Sequence, residues 1–183
     1  MPSSLAGWAL IGAGVFYAFF QGGAVTDLGP GDGVWFLGLA MHGVLIVLTL
    51  VGLIGLGRSW QLEGWRGTVW WASTGLAALG LTIGHVFWSL ALFGLAAVVY
   101  SKGSARWVAA LLAAGAGLWL YLFLVGLRVG DENGRDATSF EEGTAIVAIL
   151  MMSFGLIALG WTAQSGRRSQ AKSADSAQPV DRP

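Results

Sequence analysis

Long runs of apolar residues, separated by short polar segments, dominate the chain and predict a bundle of membrane-spanning helices. The first run is Leu5 to Phe20. A second, from Val34 to about Gly57, holds no charged residue, and neither does the third and longest, Gly67 to Tyr100. Another begins at Trp107 and reaches about Leu127, and the last runs from the end of an acidic loop to about Trp161.

The long middle run decides the topology. As one straight helix it would extend about 51 Å, against a hydrocarbon core about 30 Å thick. Either it crosses once with most of a helix left over, or it doubles back and crosses twice with almost no loop. Charge selects between these. Cytoplasmic loops carry an excess of Lys and Arg, and a doubled-back run places the segments RSWQLEGWR (58–66) and SKGSAR (101–106) on one side, together with the C-terminal tail. That side then holds Arg58, Arg66, Lys102, Arg106, Arg167, Arg168, Lys172 and Arg182, and the other only Arg128 and Arg135. A single crossing would split the basic loops across the bilayer. The expected fold class is therefore all-α, a polytopic membrane helix bundle of six transmembrane helices with a tight central hairpin and both termini cytoplasmic; five spans is the alternative. The turn is expected near Thr82 to His85, where Gly80 and Gly84 form a small-xxx-small pair that lets backbones approach closely.

The connecting segments read as breaks. GGAVTDLGPGDG, after the first span, is rich in turn formers. RVGDENGRDATSFEEG is acidic and ends in Ser139-Phe-Glu-Glu142, which fits a capping box opening the last helix. Residues 1–164 form the expected membrane domain, and 165–183, nearly devoid of apolar side chains, a disordered cytoplasmic tail. The first run also suits a signal peptide, but it lacks the basic n-region, so retention as a span is expected.

Composition agrees with this reading. Of the 183 residues 55% are hydrophobic and 11% charged, where a soluble domain has roughly 25% charged. The ten basic and ten acidic residues cancel, and nothing supports nucleic-acid binding. Without cysteine there is no disulfide, thiolate metal site or redox thiol. The preference for Arg over Lys and the abundance of Gly, Ala and Trp suggest a bacterial cytoplasmic (inner) membrane. Nine of the ten tryptophans fall near predicted boundaries, as an aromatic belt should; Trp119, beside Tyr121, is placed deep in a span.

Candidate chemistry is sparse. His42 and His85 are the only histidines, and no Asp, Glu, Lys or Arg lies within an expected span. Two neutral imidazoles on neighbouring helices could ligate a b-type haem or contact a quinone. Depth opposes a simple version, because His42 is about 12 Å into its span whereas His85 sits at the turn. Ser73 is about 18 Å along the helix from His85, so a serine-histidine hydrolase has little support. The loop Asp131-Glu-Asn133-Gly-Arg135-Asp136 partly fits an EF-hand but fails where Arg135 replaces a ligand and Asp136 replaces glycine. A passive path would have to be built from Thr49, Ser73, Thr74, Thr82, Ser89 and Ser153. The expectation is a small integral membrane protein with no catalytic site and no cofactor, an accessory or scaffold subunit or a binder of a lipophilic ligand. Its partners would be the bilayer and a membrane protein or a second copy. An electron-transfer component using His42 and His85, or a passive transporter, are the alternatives.

Overall fold

The computed structural model describes residues 3–19, 35–83, 85–103, 105–129 and 139–176. These form an all-α bundle of six helices: α1 (Ser3–Phe19), α2 (Trp35–Trp60), α3 (Gly64–Ile83), α4 (His85–Lys102), α5 (Arg106–Val129) and α6 (Ser139–Ser176). Three helical stretches, Ala40–Trp60, Arg106–Leu124 and Gly143–Ser165, are long and apolar enough to cross a membrane, and α1 and α4 add shorter apolar helices. The glycine-rich segment expected to break the chain after α1 lies outside the described residues.

The uncharged middle run is two helices. α3 ends at Ile83 and α4 starts at His85. A Cβ on Gly80 would collide with the Trp88 backbone, and one on Gly94 would collide with Ser73 Oγ. Gly80 and Trp88 stand equally far in sequence from the junction of the two helices, and Ser73 and Gly94 very nearly so. Two antiparallel helices folded about that junction produce this register. Glycine is required at 80 because any side chain would displace the backbone of the other arm. The arms have 20 and 18 residues, each about 27–30 Å at helical rise.

Each helix packs on its neighbours in sequence, and α6 returns to α1, so the six close into a ring. Small residues set the spacing. Where α1 crosses α6, Gly7 and Gly160 face one another, and further along the pair a Cβ on Gly14 would lie 2.6 Å from the Ser153 carbonyl oxygen. Gly115 of α5 receives Met152 of α6, and Gly155 of α6 receives Leu112 of α5. Close backbone approach of this kind gives van der Waals contact where lipid offers no hydrophobic drive between helices.

The two basic connections meet at one end of the ring. Arg66 Nη2 donates to the Ser101 carbonyl at 3.2 Å, and Lys102 Nζ lies 4.5 Å from the centre of the Trp60 ring. Gln61 to Glu63 join α2 to α3, with Gln61 (φ 45°) and Gly64 (φ 58°) in left-handed conformations. After α4, Gly103 adopts φ 75° and donates its N–H to the Tyr100 carbonyl at 3.0 Å, as glycine commonly does past a helix end.

Two details differ from the sequence reading. Trp70 and Trp88, assigned there to the boundary belt, are buried in the bundle, whereas Trp8, Trp65, Trp71, Trp107 and Trp161 are exposed. Position along a helix does not say which face a side chain takes, and Trp70 and Trp71 differ by about 100° around the axis. The tail expected to be unstructured from residue 165 carries helix as far as Ser176. Extending a formed helix needs no new nucleus, and Gln170, Ala171 and Lys172 are good helix formers.

Candidate functional site

A cluster of interior polar and aromatic groups lies toward the hairpin end, opposite the basic connections. Tyr17, near the end of α1, and Trp88, in the first turn of α4, come from opposite sides of the ring. Their rings meet with centroids 5.7 Å apart, inclined at 42°. The Tyr17 hydroxyl makes a long contact of 3.9 Å to Met152 Sδ on α6. The buried Trp88 Nε1 has no hydrogen-bond partner among the described residues. All three side chains are fully buried, so the middle of the bundle at this level is filled.

His42 is half-buried on α2, and its Nε2 hydrogen-bonds the Leu81 carbonyl of α3. Because a carbonyl only accepts, Nε2 carries the proton. Leu81 belongs to the last turn of α3, whose carbonyls have no partner within the helix. The imidazole therefore caps a helix end that an almost loopless hairpin leaves bare. This contact also revises the expected depths. His42 is the eighth residue of α2, whereas Leu81 is two residues from the end of α3. The start of α2 thus projects past the hairpin tip, and His42 sits level with a residue only about one helical turn from position 85.

Haem ligation through His42 Nε2 requires breaking the bond to Leu81. The His85 backbone begins α4, and its side chain lies outside the described residues, so the structure does not place the two imidazoles together. The loop with the partial EF-hand pattern lies outside the described residues as well. So do the side chains of Ser139 and Glu142, although α6 does start at Ser139. Among the described residues no group of three or more His, Asp or Glu comes together to hold a metal ion.

The hydroxyls considered for a path are engaged differently. Thr49 donates to Leu45 O at 2.8 Å, Thr74 to Trp70 O at 2.9 Å and Thr82 to Ala78 O at 2.8 Å, each within its own helix. Thr82 is exposed, whereas Thr49, Ser73, Thr74, Ser89 and Ser153 are buried. The Ser89 and Ser153 hydroxyls have no hydrogen-bond partner among the described residues. Ser73 packs against Gly94, nine positions and about 14 Å along α4 from position 85, too far for a nucleophile and base.

Sequence alone does not reveal the Tyr17–Trp88–Met152 cluster, nor a second interior anchor, Trp70. The Trp70 indole donates to the Leu53 carbonyl at 3.0 Å. Gly57 makes room for it, since a Cβ there would run into the indole nitrogen. The α2–α3 seam is thus fastened by Trp70 nearer one end and by His42 nearer the other. Gly57, a small residue in a leucine-rich helix, is the available signal for the first of these. Comparison of the chain with family models, with curated proteins and with solved structures gives no match.

Proposed function

We propose that this chain is a small multi-pass protein of a bacterial cytoplasmic membrane that serves as an accessory or scaffold subunit, working through its outer helix faces. One observation supports this above the others: the interior at the Tyr17–Trp88 level is filled, while large apolar side chains such as Trp8, Phe87, Leu90, Ile146 and Phe154 point outward. In water such a surface would aggregate; in lipid it is the face that meets acyl chains or another membrane protein. In this reading all six helices cross, and the meeting of the Arg66 and Lys102 connections puts that end in the cytosol by the positive-inside tendency.

The absence of native cysteine makes the test direct. A cysteine introduced at Gly103 should resist a membrane-impermeant thiol reagent applied to intact cells, and one at Gly134 should react. The reverse pattern would overturn the orientation. For the role itself, crosslinkers placed on the outward Leu90 and Phe154 positions should capture a defined membrane protein or a second copy; capture of lipid alone would defeat the scaffold reading.

A second reading, haem or quinone binding, is favoured by the level of His42 close to that of position 85. An absorption spectrum of the detergent-purified protein distinguishes the two. A Soret band that disappears in His42→Ala would make electron transfer the better account.

A further inference from the structure

Arg66, Lys102 and Arg106 stand at the two joined connections, and among the described residues their contacts are to a carbonyl and to aromatic rings rather than to carboxylates. The Arg66 guanidinium reaches from the start of α3 to the Ser101 carbonyl at 3.2 Å and stands 5.9 Å from the Trp65 ring centre. Lys102 lies 4.5 Å over Trp60, and Arg106 lies 5.5 Å from the centre of the Tyr100 ring. Arg58, in the last turn of α2, adds a fourth charge at this end. Glu63, the carboxylate between α2 and α3, is exposed, and among the described residues it forms no ion pair with any of them. Like charges held close without a counter-charge cost energy, which an anion shared between them relieves.

The aromatic partners say where this patch lies. Trp65, Trp107 and Tyr100 are exposed, and amphipathic rings of this kind favour the headgroup level of a bilayer. The apolar outer faces of α3 and α4, with Leu79, Leu90 and Phe93 exposed, lead directly away from it. A ligand suited to the whole region has a negative head and long apolar tails. A guanidinium offers five N–H donors, and the Ser101 carbonyl takes only one bond from Arg66, so donors remain for phosphate oxygens.

We propose that the joined α2–α3 and α4–α5 connections bind an anionic phospholipid, with Arg66, Lys102 and Arg106 around its phosphate and Trp60 and Tyr100 bracketing the site. The proposal rests on the membrane reading given above. Partial burial and the neighbouring Arg66 both hold the Lys102 pKa below its ordinary value, and a bound phosphate would oppose both effects. Basic pockets between helices on the cytoplasmic side are one mode of headgroup binding, distinct from a long run of basic residues along the chain.

The test uses the full chain in nanodiscs of phosphatidylcholine doped with phosphatidylglycerol, with retained lipid measured by native mass spectrometry. Phosphatidylglycerol should be enriched over phosphatidylcholine. R66Q/K102Q should reduce that enrichment about twenty-five-fold and R106Q about fivefold, from the attraction of each basic side chain for anionic lipid. R106Q breaks no backbone contact of Arg66 and serves if the double variant does not fold. R167Q/R168Q, basic but in the C-terminal segment, should leave it unchanged. Equal retention of the two lipids, an unaffected double variant or R106Q, or an equal loss in R167Q/R168Q would overturn the proposal. Displacement of the lipid by inorganic phosphate at equal concentration would also overturn it, making this a free-anion site. Should the protein fractionate away from membranes on cell lysis, the membrane reading itself fails, an outcome separate from any lipid preference.

Discussion

Tyr17 and Trp88 belong to helices on opposite sides of the ring, yet their side chains touch, with centroids 5.7 Å apart. Each neighbouring pair of helices could pack without this contact. The two aromatics instead tie the ring across its diameter, and Met152 completes the plug from a third helix.

Removing either ring should therefore damage more than one seam. Trp88→Ala should destabilise the bundle by about 3–5 kcal/mol, the range for deleting a buried large aromatic. Tyr17→Phe, which removes only the long contact to sulfur, should cost less than about 1 kcal/mol. Thermal unfolding in detergent, followed by loss of the native Trp fluorescence, checks the ordering; equal effects would mean the hydroxyl matters more than the ring.

Glycines in this chain should fall into two opposed groups. Gly160→Ala drives a Cβ into the Gly7 carbonyl oxygen and must push α1 off α6. Gly75 has open space where a Cβ would go, so Gly75→Ala should stabilise by up to about 1 kcal/mol through helix propensity. Melting temperatures moving in opposite directions are the expected result.

His42→Ala should leave the Leu81 carbonyl without this donor and cost about 1–3 kcal/mol. His42→Gln, whose amide still donates, should recover part of the loss. If alanine is harmless while glutamine is not, the imidazole is not acting as a cap.

Tryptophan quenching separates the two faces. Brominated acyl chains should quench Trp71, which is 44% exposed, and spare Trp70, which is 0% exposed. Trp71→Phe should thus remove a quenchable component and Trp70→Phe a protected one.

The hairpin is legible in the sequence because its signal is electrostatic and local: Arg66 and Lys102 flank an uncharged stretch, and only a doubled-back path lets both connections share a side. In the structure Arg66 bonds the residue beside Lys102. The inward face of each helix is not legible. In a soluble helix a polar stripe reveals the outside, but here the outside is as apolar as the core, so Trp70 and Trp71 are equivalent on paper. The role of His42 is hidden for another reason. Its partner is a backbone carbonyl on a different helix, and the contact exists only because α2 overhangs the hairpin, an offset no residue pattern encodes.

The closure of α6 onto α1 also sets an order for biogenesis. As helices leave the ribosome one after another, α1 must wait for the last of them before Gly7 and Gly14 find Gly160 and Ser153. Until then its close-packing flank has no α6 to pack against. Closure of the ring is thereby held back until α6 is made, and a chain stalled before it would leave the Gly14 flank of α1 and the Gly115 flank of α5 unpacked.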